Sequence, residues 1–79
     1  MIGRILDIDR KNKYYKVRTI YGEDLYVGFS LYMSRQGLKI GNIIRFELED
    51  GRMENIHKMN SKEIYNAWVA LKTGLKVSL

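Results

Sequence analysis

Cysteine is absent from this 79-residue chain, which excludes disulfides, thiol catalysis and thiolate metal sites and leaves core packing as the source of stability. An intracellular, cytoplasmic address fits that absence best. Proline is absent too, and no Pro-rich linker, internal repeat or low-complexity tract divides the chain. No stretch approaches the roughly 20 consecutive apolar residues that cross a bilayer, and the opening MIGRILDIDRKNK lacks the apolar core of a secretion signal. The expectation is a soluble protein with no membrane partner. Length alone favours one small domain with one core and one site.

Catalytic chemistry is equally sparse. The single histidine, His57, falls beside Lys58 in a presumed strand, with no Ser or Cys at a recognisable nucleophile spacing, and reads as a surface strand residue. Asp7 and Asp9, or Glu47 and Glu49, alternate as solvated strand edges do. There is no cluster with metal-ligand spacing and no glycine-rich loop ending in Lys-Ser or Lys-Thr to cradle phosphate. These absences predict a protein that is not an enzyme and needs no metal or cofactor.

Positive charge is in surplus. Lys and Arg number 14 against 9 Asp and Glu, a formal charge of +5 that on so small a body attracts polyanions at long range. From Ile2 to Lys58, short apolar and β-branched runs alternate with turn signals, predicting strands over Gly3–Asp9, Tyr14–Tyr21, Asp24–Phe29, Asn42–Glu49 and Arg52–Met59. Asn12 and Gly22 mark the first two turns, and Asp50-Gly51 the primed hairpin turn between the last two strands. The connection Ser30–Gly41 is longer and not strand-like; it must cross between strands and has room for one helical turn. Three meandering strands, a crossover and two more strands are the order of a five-stranded Greek-key barrel of the oligonucleotide-binding type.

After Asn60 the period changes. Ile64, Ala67, Trp68, Leu71 and Leu75 recur at helical spacing, Ser61 is a good N-cap, Glu63 suits the positive end of a helix dipole and Gly74 the other end. A helix is expected from about Ser61 to Thr73. The fold class is therefore all-β with a C-terminal helix: a barrel over residues 1–60, and a helix and tail over 61–79 in the same compact unit. Trp68, centred on the apolar stripe, reads as a packing anchor on the barrel or on a second chain.

The first strand and turn, GRILDIDRKNKYYKVR, the segment LYVGF and the segment LKIGNIIRFELEDGR together resemble the cold-shock domain family, over residues 3 to about 59. LYVGF is similar to the family's second RNP segment, usually Val-Phe-Val-His-Phe. The resemblance implies a small barrel that binds single-stranded RNA or DNA. Asp7 stands where the family has an exposed Trp, Asn12-Lys13-Tyr14-Tyr15-Lys16 where it has Lys-Gly-Phe-Gly-Phe, and Gly28 where it has His. Two ring positions remain, Tyr14 and Tyr26.

Strand alternation leads to the same residues independently. If Tyr15 and Val17 turn inward with Thr19 or Ile20, then Tyr14, Lys16 and Arg18 line an outer face; if Leu25, Val27 and Phe29 turn inward, Tyr26 and Gly28 join them. Tyr14 and Tyr26 would stack bases, Lys13, Lys16 and Arg18 would contact phosphate, Gly28 would leave space for a base, and Arg4, Arg45 and Lys58 would extend the path. Tyrosine also pairs across strands with no ligand at all. A second expectation thus stands beside the first: a protein-interaction module or homodimer that docks through Ile64, Trp68, Leu71 and Leu75, with Tyr65 and Val69 adding apolar surface.

Overall fold

The computed structural model describes residues 1–29 and 37–72 of the chain. Five strands, β1 (Ile2–Asp9), β2 (Tyr14–Thr19), β3 (Asp24–Gly28), β4 (Ile43–Glu49) and β5 (Arg52–Lys58), are followed by one helix, α1 (Ser61–Lys72). The expected elements are all present, with ends moved by one or two residues. Leu75 and Gly74 lie outside the described residues, as does the segment of the crossover expected to hold a helical turn.

The strands close into a barrel in the order β1-β2-β3-β5-β4, with β4 returning to β1. All neighbours are antiparallel except β3 and β5, which run parallel and meet at Gly28 and Arg52. The alternation read from the sequence holds on β2 and β3: Tyr15, Val17 and Thr19 are buried, and so is Val27. Tyr15, Val17 and Val27 join Ile5, Leu38, Ile44, Phe46 and Met53 in one core, with Leu25, Phe29 and Ile56 packed against it. Between Thr19 and Ile20 it is Thr19 that turns inward. Its hydroxyl accepts from the backbone N–H groups of Tyr21 and Glu23 and so shapes the β2–β3 turn.

Turn chemistry follows the sequence. Gly22 has φ 84°, and Asp50 and Gly51 have φ 51° and 76°, the paired positive values that a primed hairpin turn requires. Lys13 also takes a left-handed conformation at φ 58°, and Asn55 does so at φ 51°. The β4–β5 register shifts between Arg45 and Glu47, and across that irregularity the Asn55 amide donates to Glu47 at 2.8 Å.

The helix starts one residue earlier in cap terms than expected. Asn60, not Ser61, is the N-cap: its side-chain oxygen accepts from the Glu63 N–H at 2.9 Å, and the Glu63 carboxylate accepts from the Asn60 N–H at 3.1 Å. This reciprocal pair needs a Glu or Gln three residues after the cap. Asn60 has Glu63 there, whereas Ser61 would have Ile64. Glu63 also meets the His57 imidazole at 2.8 Å, fixing the helix start to the end of β5. Beyond that anchor the helix is held loosely, and none of its described residues is fully buried. Ile64, Ala67 and Leu71 form one wall of an open cleft of about 290 Å³ whose other wall is Ile2, Ile43 and Met59 of the barrel. Trp68 is 54% exposed, so on the barrel it is a rim and not the expected anchor. Ile64, Ala67 and Leu71 are half-buried over the barrel, and Trp68 stands at the edge of that stripe.

Candidate nucleic-acid interface

Pairing registers define the outer face of β1, β2 and β3 row by row. Arg4 is opposite Arg18, which is opposite Asp24; Asp7 is opposite Lys16, which is opposite Tyr26; Asp9 is opposite Tyr14, which is opposite Gly28. The alternation of β2 and β3 thus brings Tyr14, Lys16 and Tyr26 together on a solvent-facing surface. Their ring centroids lie 6.0 Å apart at an interplanar angle of 65°, the edge-to-face geometry that aromatic quadrupoles favour. Tyr26 is 66% exposed, and the Lys16 ammonium sits 5.7 Å from its ring centroid. A ring this open can receive a base on its face, and the neighbouring cation needs only a rotamer change to reach a phosphate.

The other residues expected at the site divide. Lys13, exposed in the β1–β2 turn, lies directly before Tyr14, and its carbonyl accepts from the Phe29 N–H at 3.0 Å. Arg18 shares the face, but Asp24 engages it through two hydrogen bonds of 2.8 and 3.2 Å. The pair raises the guanidinium pKa and lowers that of Asp24, in both cases chiefly through the side-chain hydrogen bond. Arg18 thus reaches a phosphate only by sharing its donors with Asp24. Gly28 lies on the face, but the space above it is not free: a Cβ there would come 3.1 Å from the Arg52 Cγ. Its missing side chain lets β5 close against β3. Arg45 and Lys58 stand on β4 and the far end of β5, away from the rings. Arg4 is on the outer face of β1, directly opposite Arg18.

Strand alternation did not single out three further basic residues, two in the β1–β2 turn and one at the barrel seam. Arg10 and Lys11 are exposed in the turn that carries Lys13. Arg52 crosses Gly28 at the barrel seam, with its Nε buried and without a hydrogen-bond partner, 4.0 Å from the nearer Glu54 oxygen. The run RKNK signalled the first two. Nothing local signalled Arg52, because its position depends on which strands close the barrel.

Charge on the face is graded. Asp7 and Asp9 form an acidic margin along β1, and Asp9 also organises the turn by accepting from the Asn12 backbone and side-chain amides at 2.9 and 3.0 Å. Those bonds hold the Asp9 carboxyl below its ordinary range. The neighbouring Asp9 carboxylate raises the Tyr14 hydroxyl pKa above its ordinary value. Negative charge thus gathers on the β1 side of the rings, and positive charge at Lys16 and in the exposed turn of Arg10, Lys11 and Lys13.

His57 is exposed and committed to Glu63, in keeping with its reading as a surface strand residue. Among the described residues no group of three or more His, Cys, Asp or Glu is placed to hold a metal ion, and no helix is long and apolar enough to cross a membrane. Comparison with protein-family models, curated proteins and solved structures gives no match to this chain.

Proposed function

We propose that this protein is a non-enzymatic nucleic-acid-binding protein of the cytoplasm that holds single-stranded RNA or DNA on the outer face of β2 and β3, with little sequence preference. The observation that carries the reading is the exposed Tyr26 ring with Tyr14 edge-on at 6.0 Å and Lys16 at 5.7 Å on the same face. Tyr26 stacks a base and Tyr14 buttresses it. Lys16, Lys13 and Arg52 neutralise phosphates along the β2–β3 side, and Asp7 and Asp9 keep the backbone off β1. The strand order with a parallel β3–β5 closure supports assignment to the oligonucleotide-binding barrels, whose ligands lie across the second and third strands. The resemblance of LYVGF and its setting to cold-shock domains supports the same assignment, with Tyr14 and Tyr26 as the two retained ring positions.

The test is an anisotropy titration of labelled oligothymidine and oligouridine at two salt concentrations. Binding should weaken as salt rises. Tyr26→Ala should lose about 1–3 kcal/mol of affinity at either salt with its melting curve nearly unchanged. Lys16→Ala should flatten the salt slope by about one unit or less. If neither strand binds at low salt, or if both variants bind as the parent does, the face does not hold nucleic acid.

A further inference from the structure

A second surface lies one row beyond the rings, and its chemistry differs. The cleft between α1 and the barrel continues past Arg4 into a second hollow of about 220 Å³, floored by Gly3, Leu6 and Ile43 and closed by Arg18. Arg4 lines both hollows and stands between them. Among the described residues, every charged side chain lining these hollows is an arginine; Arg18 is held by Asp24, whereas Arg4 has no ion pair there. On the rim, the Lys72 ammonium lies 4.0 Å from the Trp68 ring centroid and adds positive charge.

We propose that this groove is a docking site for a protein partner, specifically a short apolar peptide segment with one carboxylate set between its apolar side chains. The carboxylate pairs with Arg4, and the flanking side chains fill the hollows on either side. The aliphatic walls of Ile2, Ile43 and Ile64 offer hydrophobic contact to apolar side chains, and Arg4 between the hollows offers a carboxylate its partner, so an apolar peptide with one acid matches both features, whereas a nucleic-acid strand would use the cation alone. A second copy of this chain is a poorer match: it carries the same net charge of +5, and its own groove would present arginine to arginine. The Arg18–Asp24 pair separates this site from Tyr26, which leaves both surfaces free to act at once. The proposal does not depend on nucleic-acid binding.

Trp68 is the only tryptophan in the chain and sits on the rim, so its emission reports occupancy directly. The probe is a set of twelve-residue peptides, each with one Glu between Leu or Phe residues at varied spacing, together with the matching Gln peptides. At least one Glu peptide should shift Trp68 emission saturably, and its Gln counterpart should bind more weakly by up to about fivefold, as expected for loss of a partly exposed charge pair. Arg4→Gln should remove that preference while leaving the circular dichroism spectrum intact. Ala67→Glu, which sets a carboxylate inside the cleft on a loosely held helix, should abolish binding without unfolding the barrel. No saturable response across the set, equal binding of Glu and Gln peptides, a Trp68 shift produced by oligonucleotide alone, or one that tracks self-association in sedimentation would each overturn the proposal.

Discussion

Gly3 faces the barrel interior where β1 crosses β2, and a Cβ there would fall 2.5 Å from the Val17 Cγ1 and 2.9 Å from the Arg18 carbonyl oxygen. Neither neighbour can retreat easily, since Val17 is fully buried and the carbonyl belongs to the ladder. Gly3→Ala should therefore destabilise the fold by about 1–3 kcal/mol, the usual cost of overpacking a core, read as a lower denaturation midpoint with an unchanged slope. A midpoint equal to the parent's would mean that the two strands can separate there at no cost. Gly28 contrasts with it: its close neighbour is the stem of a half-exposed arginine, which can swing away, so Gly28→Ala should be milder. The sequence distinguishes these two glycines poorly. Alternation predicts which side of a strand each one faces, but what lies opposite is set by register and closure. The same distinction governs the candidate site. Tyr14, Lys16 and Tyr26 were legible because neighbouring antiparallel strands obey a period of two, while Arg52 was not, because it arrives from a strand distant in sequence.

At the scale of the element, α1 shows what local signals determine and where they stop. Its extent is legible from apolar spacing and from cap chemistry, and the choice of Asn60 over Ser61 follows from the position of Glu63. Its packing is not legible, since that depends on the curvature of the barrel beneath it. Because the hydrogen bonds that tie the helix start to β5 gather in its first turn, losing the cap should fray it without melting the barrel. Asn60→Ala should cost the helix about 0.5–2 kcal/mol and lower its signal at 222 nm, while the barrel's unfolding transition stays in place. A matching fall in barrel stability would show that the two units fold as one. Acid should act on the same joint. The Glu63 carboxyl is held below its usual range, first by the Asn60 N–H and next by the His57 side chain. A carboxyl depressed on folding stabilises above its unfolded value, and that contribution is lost as pH falls through the folded one. Helical signal should thus persist at neutral pH and decline below about pH 4, and Glu63→Gln should already show reduced signal at neutral pH and a flatter acid response. An acid response identical in the Gln variant would place the titrating group elsewhere, with Asp9 and Asp24, both also depressed, the next to test.

The whole molecule is a closed ring of strands with one weak joint. β2 pairs with β3 along five consecutive residues, Tyr14 to Lys16 and on to Arg18, whereas β3 meets β5 at the single pair Gly28 and Arg52, with the Gly28 N–H donating to the Gly51 carbonyl at 2.8 Å. Local opening starts where the fewest backbone bonds must break, so the barrel should open along this seam. In native-state hydrogen exchange, the Gly28 amide should exchange faster than the amides of β2, which has a partner strand on both sides. The seam borders the candidate site, since Gly28 lies opposite Tyr14 and Arg52 crosses it. A single strand of nucleic acid laid over Tyr14, Tyr26 and Arg52 would bridge β2, β3 and β5 and hold the joint shut. Added oligothymidine should then slow exchange at Gly28 by more than it slows exchange in β4, on the opposite wall, and Arg52→Ala should reduce that protection even where affinity falls little. Uniform slowing across the barrel would mean that the ligand stabilises the fold as a whole without gripping the seam. Equal exchange of Gly28 and β2 in the free protein would mean that the ring has no weak joint and that its closure is carried by the side chains of the core.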